Sequence, residues 1–258
     1  MEKLPRFIAK YFYSIFASLY FFTIGIFFKH ERAYLGDFAA HFGFDTRKKI
    51  LRTNLPQISS DELMRQSSPI IIREPEVISG NVSILELALI NMFIQNIKPK
   101  NLFEIGTFDG RTTLNMATNI SEGIVYTLDL PYIDSPETKF EITGDKKFAP
   151  RKERCLRFEG TPEEKKIKRL FGDSATFDFS PFASKIDFLF IDGAHTYEYV
   201  VNDTKKTEQI MRPQGVIMWH DYGTWEGVTR ALNELYTSNP HYKNLKHIKG
   251  TSLAYLYL

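Results

Sequence analysis

The chain has 258 residues, enough for one large α/β domain with an extension. Lys and Arg number 33 against 31 acids, a net charge of +2, which excludes the strongly basic field that would argue for nucleic acid as a partner. Cys155 is the only cysteine, so a disulfide framework and the usual zinc spacings are excluded too, and a reducing compartment fits.

The first predicted element is hydrophobic. From Tyr11 to Phe28 no residue is charged, and Phe, Tyr and Ile crowd the segment behind Lys3, Arg6 and Lys10. As a helix it would reach about 27 Å, close to the ~30 Å of a bilayer's hydrocarbon. Lys29, His30, Glu31 and Arg32 follow without a small-residue cleavage site, so a retained segment is expected rather than a removed signal. Ser14, Ser18 and Gly25 fall near one helical face, where a second helix can approach closely. Two readings stay open for residues 7–28: membrane contact, spanning or in-plane, and an oligomerisation or core-packing helix that would make a homo-oligomer. Residues 1–32 are accordingly read as a hydrophobic N-terminal helix, and 33–68 as a connecting helical region with start signals at Ser59, Ser60 and Asp61. The main domain is expected over 69–258.

Within that domain helices and short buried strands alternate. Ser83-Ile-Leu-Glu86 is a capping box that opens a helix to Ile97, which Pro99 ends. Leu102 to Ile105 is a strand, Arg111 to Thr118 a helix and Ile124 to Leu128 a strand, a βαβ unit. Ile186 to Ile191 is apolar but for Asp187 near its start, as a parallel strand buried on both faces requires, and Val216 to Trp219 is a second apolar run. Tyr197 to Met211 and Trp225 to Tyr236 read as helices. Leu245 to Ile248 and Leu253 to Leu258 suggest a closing antiparallel pair. The expected fold is α/β with a mostly parallel, seven-stranded sheet and an antiparallel C-terminal strand.

The turn after the first of these strands carries Glu104, Gly106 and Gly110. A dinucleotide fingerprint would need glycine where Phe108 and Arg111 stand, which argues against a pyrophosphate cofactor. The glycines instead permit close backbone approach, or Gly106 simply serves a tight turn, while Glu104 can order a loop that receives a cationic amino-acid tail. Asp129 closes the next strand, where a carboxylate can accept both hydrogen bonds of a ribose diol. In Gly172-Asp173-Ser174, Asp173 can meet an adenine amino group, though either acid can also be a local cap.

Taken in order, Glu104-x-Gly106-x-x-x-Gly110, Asp129, Gly172-Asp173-Ser174 and Ile191-Asp192-Gly193-Ala194-His195 resemble class I S-adenosylmethionine methyltransferases, over about Gly80 to Asp221. Within that class the chain is similar to the metal-dependent small-molecule O-methyltransferases that include macrocin and caffeoyl-CoA enzymes, and to cephalosporin hydroxylase-like proteins. The resemblance implies a Rossmann-like fold, S-adenosylmethionine as cofactor and a small-molecule or glycan hydroxyl as acceptor. It also implies that Gly80, Asn81 and Ser83 lie against the cofactor's methionine part, although capping alone accounts for Ser83.

Asp192 ends one buried strand, and His220 and Asp221 end its neighbour. Facing one crevice, Asp192, His220 and Asp221 can form an open site for Mg²⁺ or Mn²⁺. The family's matching positions are metal ligands, and histidine at 220 departs from its plainest carboxylate-rich pattern. His195 stands where the resemblance puts a general base, or else is a loop histidine. Asp203, two helical turns from His195, either orients it or, the favoured expectation, sits on a solvated helix face, and Tyr197, Tyr222 and Trp225 either line an acceptor pocket or pack. The long stretch from Pro131 to Glu164 is expected to cover the site, its Lys146, Lys147, Arg151, Lys152, Arg154 and Arg157 either solvated or recruiting an anionic acceptor. An N-methyltransferase, a cephalosporin hydroxylase-like enzyme and a non-catalytic, membrane-tethered cofactor-binding scaffold are the alternatives. The cofactor requires the domain on the cytoplasmic side.

Overall fold

The computed structural model describes residues 4–28, 51–64, 68–131, 137–142 and 155–258. The chain divides into two compact units, Met1–Ile50 and Leu51–Leu258. In the first, α1 (Leu4–Thr23) leads into a 3-10 turn at Gly25–Phe27. Ser14 and Ser18 turn their hydroxyls onto the carbonyls of Lys10 and Ser14 one turn back, and Gly25 lies past the helix end, so the small-residue stripe does not continue to it. Tyr11, Phe12, Tyr13, Phe16 and Leu19 are exposed. Among the described residues no helix is long and apolar enough to cross a membrane, which corrects the spanning reading. The polar Lys10, Ser14, Ser18 and tyrosines inside the helix dilute its hydropathy below that of a span.

The second unit runs β1 (Gln57–Ser59), α2 (Ser60–Met64), α3 (Ile84–Ile97), β2 (Asn101–Ile105), α4 (Arg111–Asn119), β3 (Ile124–Asp129), β4 (Ile167–Phe171), β5 (Ile186–Ile191), α5 (Tyr197–Glu208), β6 (Met211–Trp219), α6 (Glu226–Ser238), β7 (Lys246–Lys249) and β8 (Ala254–Tyr257). They form one eight-stranded sheet in the order β1-β7-β8-β6-β5-β2-β3-β4. Only β8 runs antiparallel to its neighbours, β6 and β7. The strand beyond the expected seven is β1, which pairs in parallel with β7 through Ile58 and Ile248. A three-residue edge strand has no period to read, so it lay hidden in the stretch read as a connector.

Strand periodicity assigns the layers. Along β5, Phe188 and Phe190 enter one core cluster while Leu189 and Ile191 enter the other, and along β6 Val216 and Met218 alternate in the same way with Ile217 and Trp219. The first face is covered by α3 and α4, through residues such as Leu87, Ile90, Ile94 and Met116. The second is covered by α5 and α6, through Val200, Val228 and Leu232. Both faces of the central strands are therefore dry, as a doubly wound parallel sheet requires. Truncating a residue such as Leu189, wholly buried, costs about 2–5 kcal/mol.

Register positions the site. Ile105 of β2 pairs with Ile191 of β5, and Ile191 with Trp219 of β6, so these three strands end level. The residues that follow, Gly106, Asp192 and His220, emerge side by side at the carboxyl edge. On the other flank, Asp129 of β3 pairs with Phe171 of β4, which brings Gly172 and Asp173 to the same edge.

Candidate active site

The strand ends and the segment ahead of α3 enclose a cavity of about 370 Å³. Its lining includes Gly80, Asn81, Gly106, Asp129, Asp173, Ser174, Asp192, His195, His220 and Asp221. Glu104, Gly110 and Ser83, also expected to meet the cofactor, stand behind this wall or beside it.

Gly106 explains the closeness of the wall. Its φ is +100°, and a Cβ there would collide with the backbone carbonyl of Asp192, so only glycine lets the β2 and β5 ends approach. Gly110 has another reason to lack a side chain: with φ +78° it opens α4, and a Cβ would fall 2.8 Å from the ring of Phe158. Ser83 caps α3 reciprocally with Glu86. Glu104 accepts hydrogen bonds from the hydroxyls of Thr113 and Thr127, while its Oε1 is buried with no hydrogen-bond partner among the described residues. Burial raises its pKa to about 8, against the two hydroxyl bonds and with help from the charges of Asp192 and Asp129.

At one end of the cavity backbone amides fix the acids. Asp129 accepts from the N–H groups of Leu130 at 2.8 Å and Phe108 at 3.2 Å. Asp173 accepts from the N–H groups of Ala175 and Lys139 and from the phenol of Tyr199. Phe140 packs edge-on against Tyr199, and Ile142 joins the lining. Part of the β3–β4 connection thus covers this end, as its length suggested; Lys146, Lys147, Arg151, Lys152 and Arg154 lie outside the described residues. Ser174 donates to Asp203, which is 1% exposed rather than on a solvated face. Burial raises the Asp203 carboxyl to about 7 despite the bonds from Asn202 and Ser174.

At the other end imidazoles fix the acids. His220 Nδ1 lies 3.0 Å from Asp192 Oδ1 and 3.3 Å from Asp221 Oδ2, and its Nε2 lies 3.5 Å from Glu86 Oε2. Burial alone would lower the pKa of His220, but the charge of Asp192 and hydrogen bonds to Asp192, Asp221 and Glu86 raise it well above the usual value, which favours the imidazolium form. The same contacts outweigh burial at Asp221, where bonds from His195 and His220 hold the pKa far below the ordinary carboxylate range. At Asp192 burial wins, and the pKa is raised.

His195 Nε2 lies 2.8 Å from Asp221 Oδ2, and its ring stacks on Trp225 at 4.4 Å and 15°. One ligand atom each from Asp192, His195 and Asp221 falls within 4.8 Å of the others, the geometry of a candidate cation site among the described residues. The histidine of that trio is His195, whereas the sequence suggested His220, both of whose nitrogens already face carboxylates. Of the aromatic candidates only Trp225 lines the cavity. Tyr222 instead binds the N–H groups of Asn54 and Leu55, and Tyr197 donates to Glu234.

Glu86, Tyr199, Phe108 and Ile142 escaped the sequence reading as site residues. Glu86 had a signal, the capping box, but only its local half: Oε1 also accepts from the N–H and hydroxyl of Ser252 across the sheet.

Residues 103–222 match the family model of a methyltransferase domain. Among solved structures, the O-methyltransferase NovP is 16% identical with a TM-score of 0.51, over 68% of this chain and 80% of its own. The Podospora anserina methyltransferase PaMTH1, solved with S-adenosylhomocysteine bound, is 14% identical with a TM-score of 0.50, over 76% of this chain and 92% of its own. Likeness at these identities shows the fold. The chain has no match among curated proteins.

Proposed function

We propose that the chain, whose residues 103–222 match a methyltransferase domain, is a class I, S-adenosylmethionine-dependent enzyme that transfers the cofactor's methyl group to a hydroxyl oxygen of a small molecule or glycan. The observation that carries this reading is one cavity with two differently built ends. Asp129 and Asp173 stand at the β3 and β4 ends, suited to a ribose diol and an adenine amino group. With adenosine there, the sulfonium falls over the β2 end, next to Asp192, His195 and Asp221. An acceptor oxygen held by that trio attacks the methyl carbon in line. The new O–C bond forms as the S–C bond breaks with its electron pair left on sulfur, the sulfonium becomes a neutral thioether, and the hydroxyl proton passes to solvent water or to the His195 imidazole.

Asp192, His195 and Asp221 fit a divalent cation of the Mg²⁺ or Mn²⁺ kind: two carboxylates and an imidazole with mutually close ligand atoms and a face open to the cavity. Such an ion supplies Lewis-acid activation of the acceptor hydroxyl. The chain's own residues hold the oxygen in place, and Trp225 keeps the His195 ring in its plane. A second reading rests on the His195–Asp221 pair. Oriented by a carboxylate 2.8 Å away, the imidazole can take the proton itself, while the His220 imidazolium already offsets the charge of the neighbouring acids.

The test is methyl transfer from labelled S-adenosylmethionine into a library of hydroxyl compounds, with Mg²⁺ or with EDTA. Turnover lost in EDTA supports the cation reading; turnover that survives EDTA but falls by ~10²-fold or more in His195→Ala supports the base reading. Cofactor binding without transfer to any hydroxyl contradicts both and favours a non-catalytic binding protein. For α1, aromatic along its exposed length and with Arg6 and Lys10 toward its start, in-plane contact with anionic lipid is the reading favoured over self-association. Co-sedimentation of the full chain with anionic vesicles separates the two.

A further inference from the structure

Arg157, a basic side chain of the β3–β4 connection, is not turned to solvent or to an acceptor. Its Nε lies 2.8 Å from Asp109 Oδ2, with only 16% and 13% of the two side chains exposed. Its Nη1 donates to the carbonyl of Glu76 at 3.1 Å and its Nη2 to Asn81 Oδ1 at 3.4 Å. Its backbone N–H donates to the carbonyl of Asp109 at 3.0 Å. Asn81 closes the network by donating to Asp109 Oδ1 at 3.0 Å. Beside it Leu156 and Phe158 are buried against Leu114, so the segment carrying Arg157 is fixed on both sides.

Neither Arg157 nor Asp109 lines the cavity, but Gly80, Asn81 and Gly106 do. One guanidinium therefore ties three chain segments: the approach to α3, the β2–α4 turn and the β3–β4 connection. On the cofactor reading, with adenosine at Asp129 and Asp173 and the methyl at Asp192, the amino-acid tail is assigned to the wall of Gly80, Asn81 and Gly106, which belongs to the same cavity. Because that wall is irregular backbone, its shape depends on what holds the two loops together.

We propose that Arg157 is a positioning residue for cofactor binding, which through Asp109 and Asn81 sets the wall that receives the amino-acid tail of S-adenosylmethionine. This rests on the cofactor reading above. Ordering the two loops before binding removes that cost from the binding step, and removes it only for ligands that carry the tail. The clamp also links the tail's wall to the connection that covers the adenosine end.

The test compares two ligands by calorimetry on the full chain: S-adenosylhomocysteine, which has the tail, and 5′-methylthioadenosine, which lacks it. Arg157→Met is expected to weaken S-adenosylhomocysteine by about tenfold while methylthioadenosine stays within about twofold, and Arg157→Lys to recover part of the loss. Asp109→Asn, which keeps the shape but removes the ion pair, is expected to show the same selective loss. Tighter S-adenosylhomocysteine binding in Asp109→Asn would overturn the proposal in favour of a long-range charge effect on the tail's carboxylate. Equal losses for both ligands, or none, would overturn it as well. A wild-type protein that binds neither ligand would contradict the cofactor reading itself, and the proposal with it.

Discussion

The two ends of the cavity solve the same problem by different means. Asp129 and Asp173, at the end proposed for adenosine, are held mainly by backbone N–H groups, with the phenol of Tyr199 added at Asp173. Asp192 and Asp221, at the end proposed for the reaction, are held by the side chains of His195 and His220, and His220 in turn by Glu86 from α3. An amide donor cannot titrate and survives most side-chain substitutions. An imidazolium is lost with one substitution or with a change of pH, so the adenosine end should be robust and the reacting end fragile.

The largest break in that comparison is His220→Leu. It leaves Glu86, Asp192 and Asp221 without the cation among them, and removing one partner from a buried charge cluster costs about 3–5 kcal/mol. Chemical unfolding at pH 7 should show a loss of that size, shrinking as acid protonates the carboxylates. A loss under ~1 kcal/mol would mean the three acids are not ionised together and the imidazolium is not the charge that balances them.

A smaller effect sharpens the contrast behind the wall. Glu104, raised to about 8 by burial, keeps its proton in the folded state where the unfolded chain has already released it. The folded state then binds more protons between the ordinary glutamate range and pH 8, so stability falls as pH rises through that window. In Glu104→Gln the unfolding free energy should lose this downward slope between about pH 5 and 8. An unchanged slope would remove Glu104 as its source.

What the sequence made legible follows the same division. Strands β5 and β6 stood out because their Phe188–Ile191 and Val216–Trp219 stretches are apolar and buried on both faces, β2 and β3 because a helix lies between them in a βαβ unit, and the acids at their ends followed from position alone. The edge strand β1 did not, because Gln57–Ser59 has a single inward residue. Asp203 looked solvated because the buried face of α5 is itself polar: Asp203, Thr204 and Thr207 are all buried there, so the usual apolar stripe is missing. That His195 rather than His220 completes the candidate trio with Asp192 and Asp221 follows from contacts with Glu86 and Trp225, which no local spacing encodes.

The most direct test of the central claim, one cavity built for S-adenosylmethionine with its nucleoside at the backbone-held acids, is calorimetric titration of the protein and of Asp129→Ala with S-adenosylmethionine and S-adenosylhomocysteine. The account predicts binding of both by the wild type, and a loss of ~10- to 100-fold in Asp129→Ala, as expected when a charged acceptor of ribose hydrogen bonds is removed. Absence of binding by the wild type, or full affinity in Asp129→Ala, would contradict it.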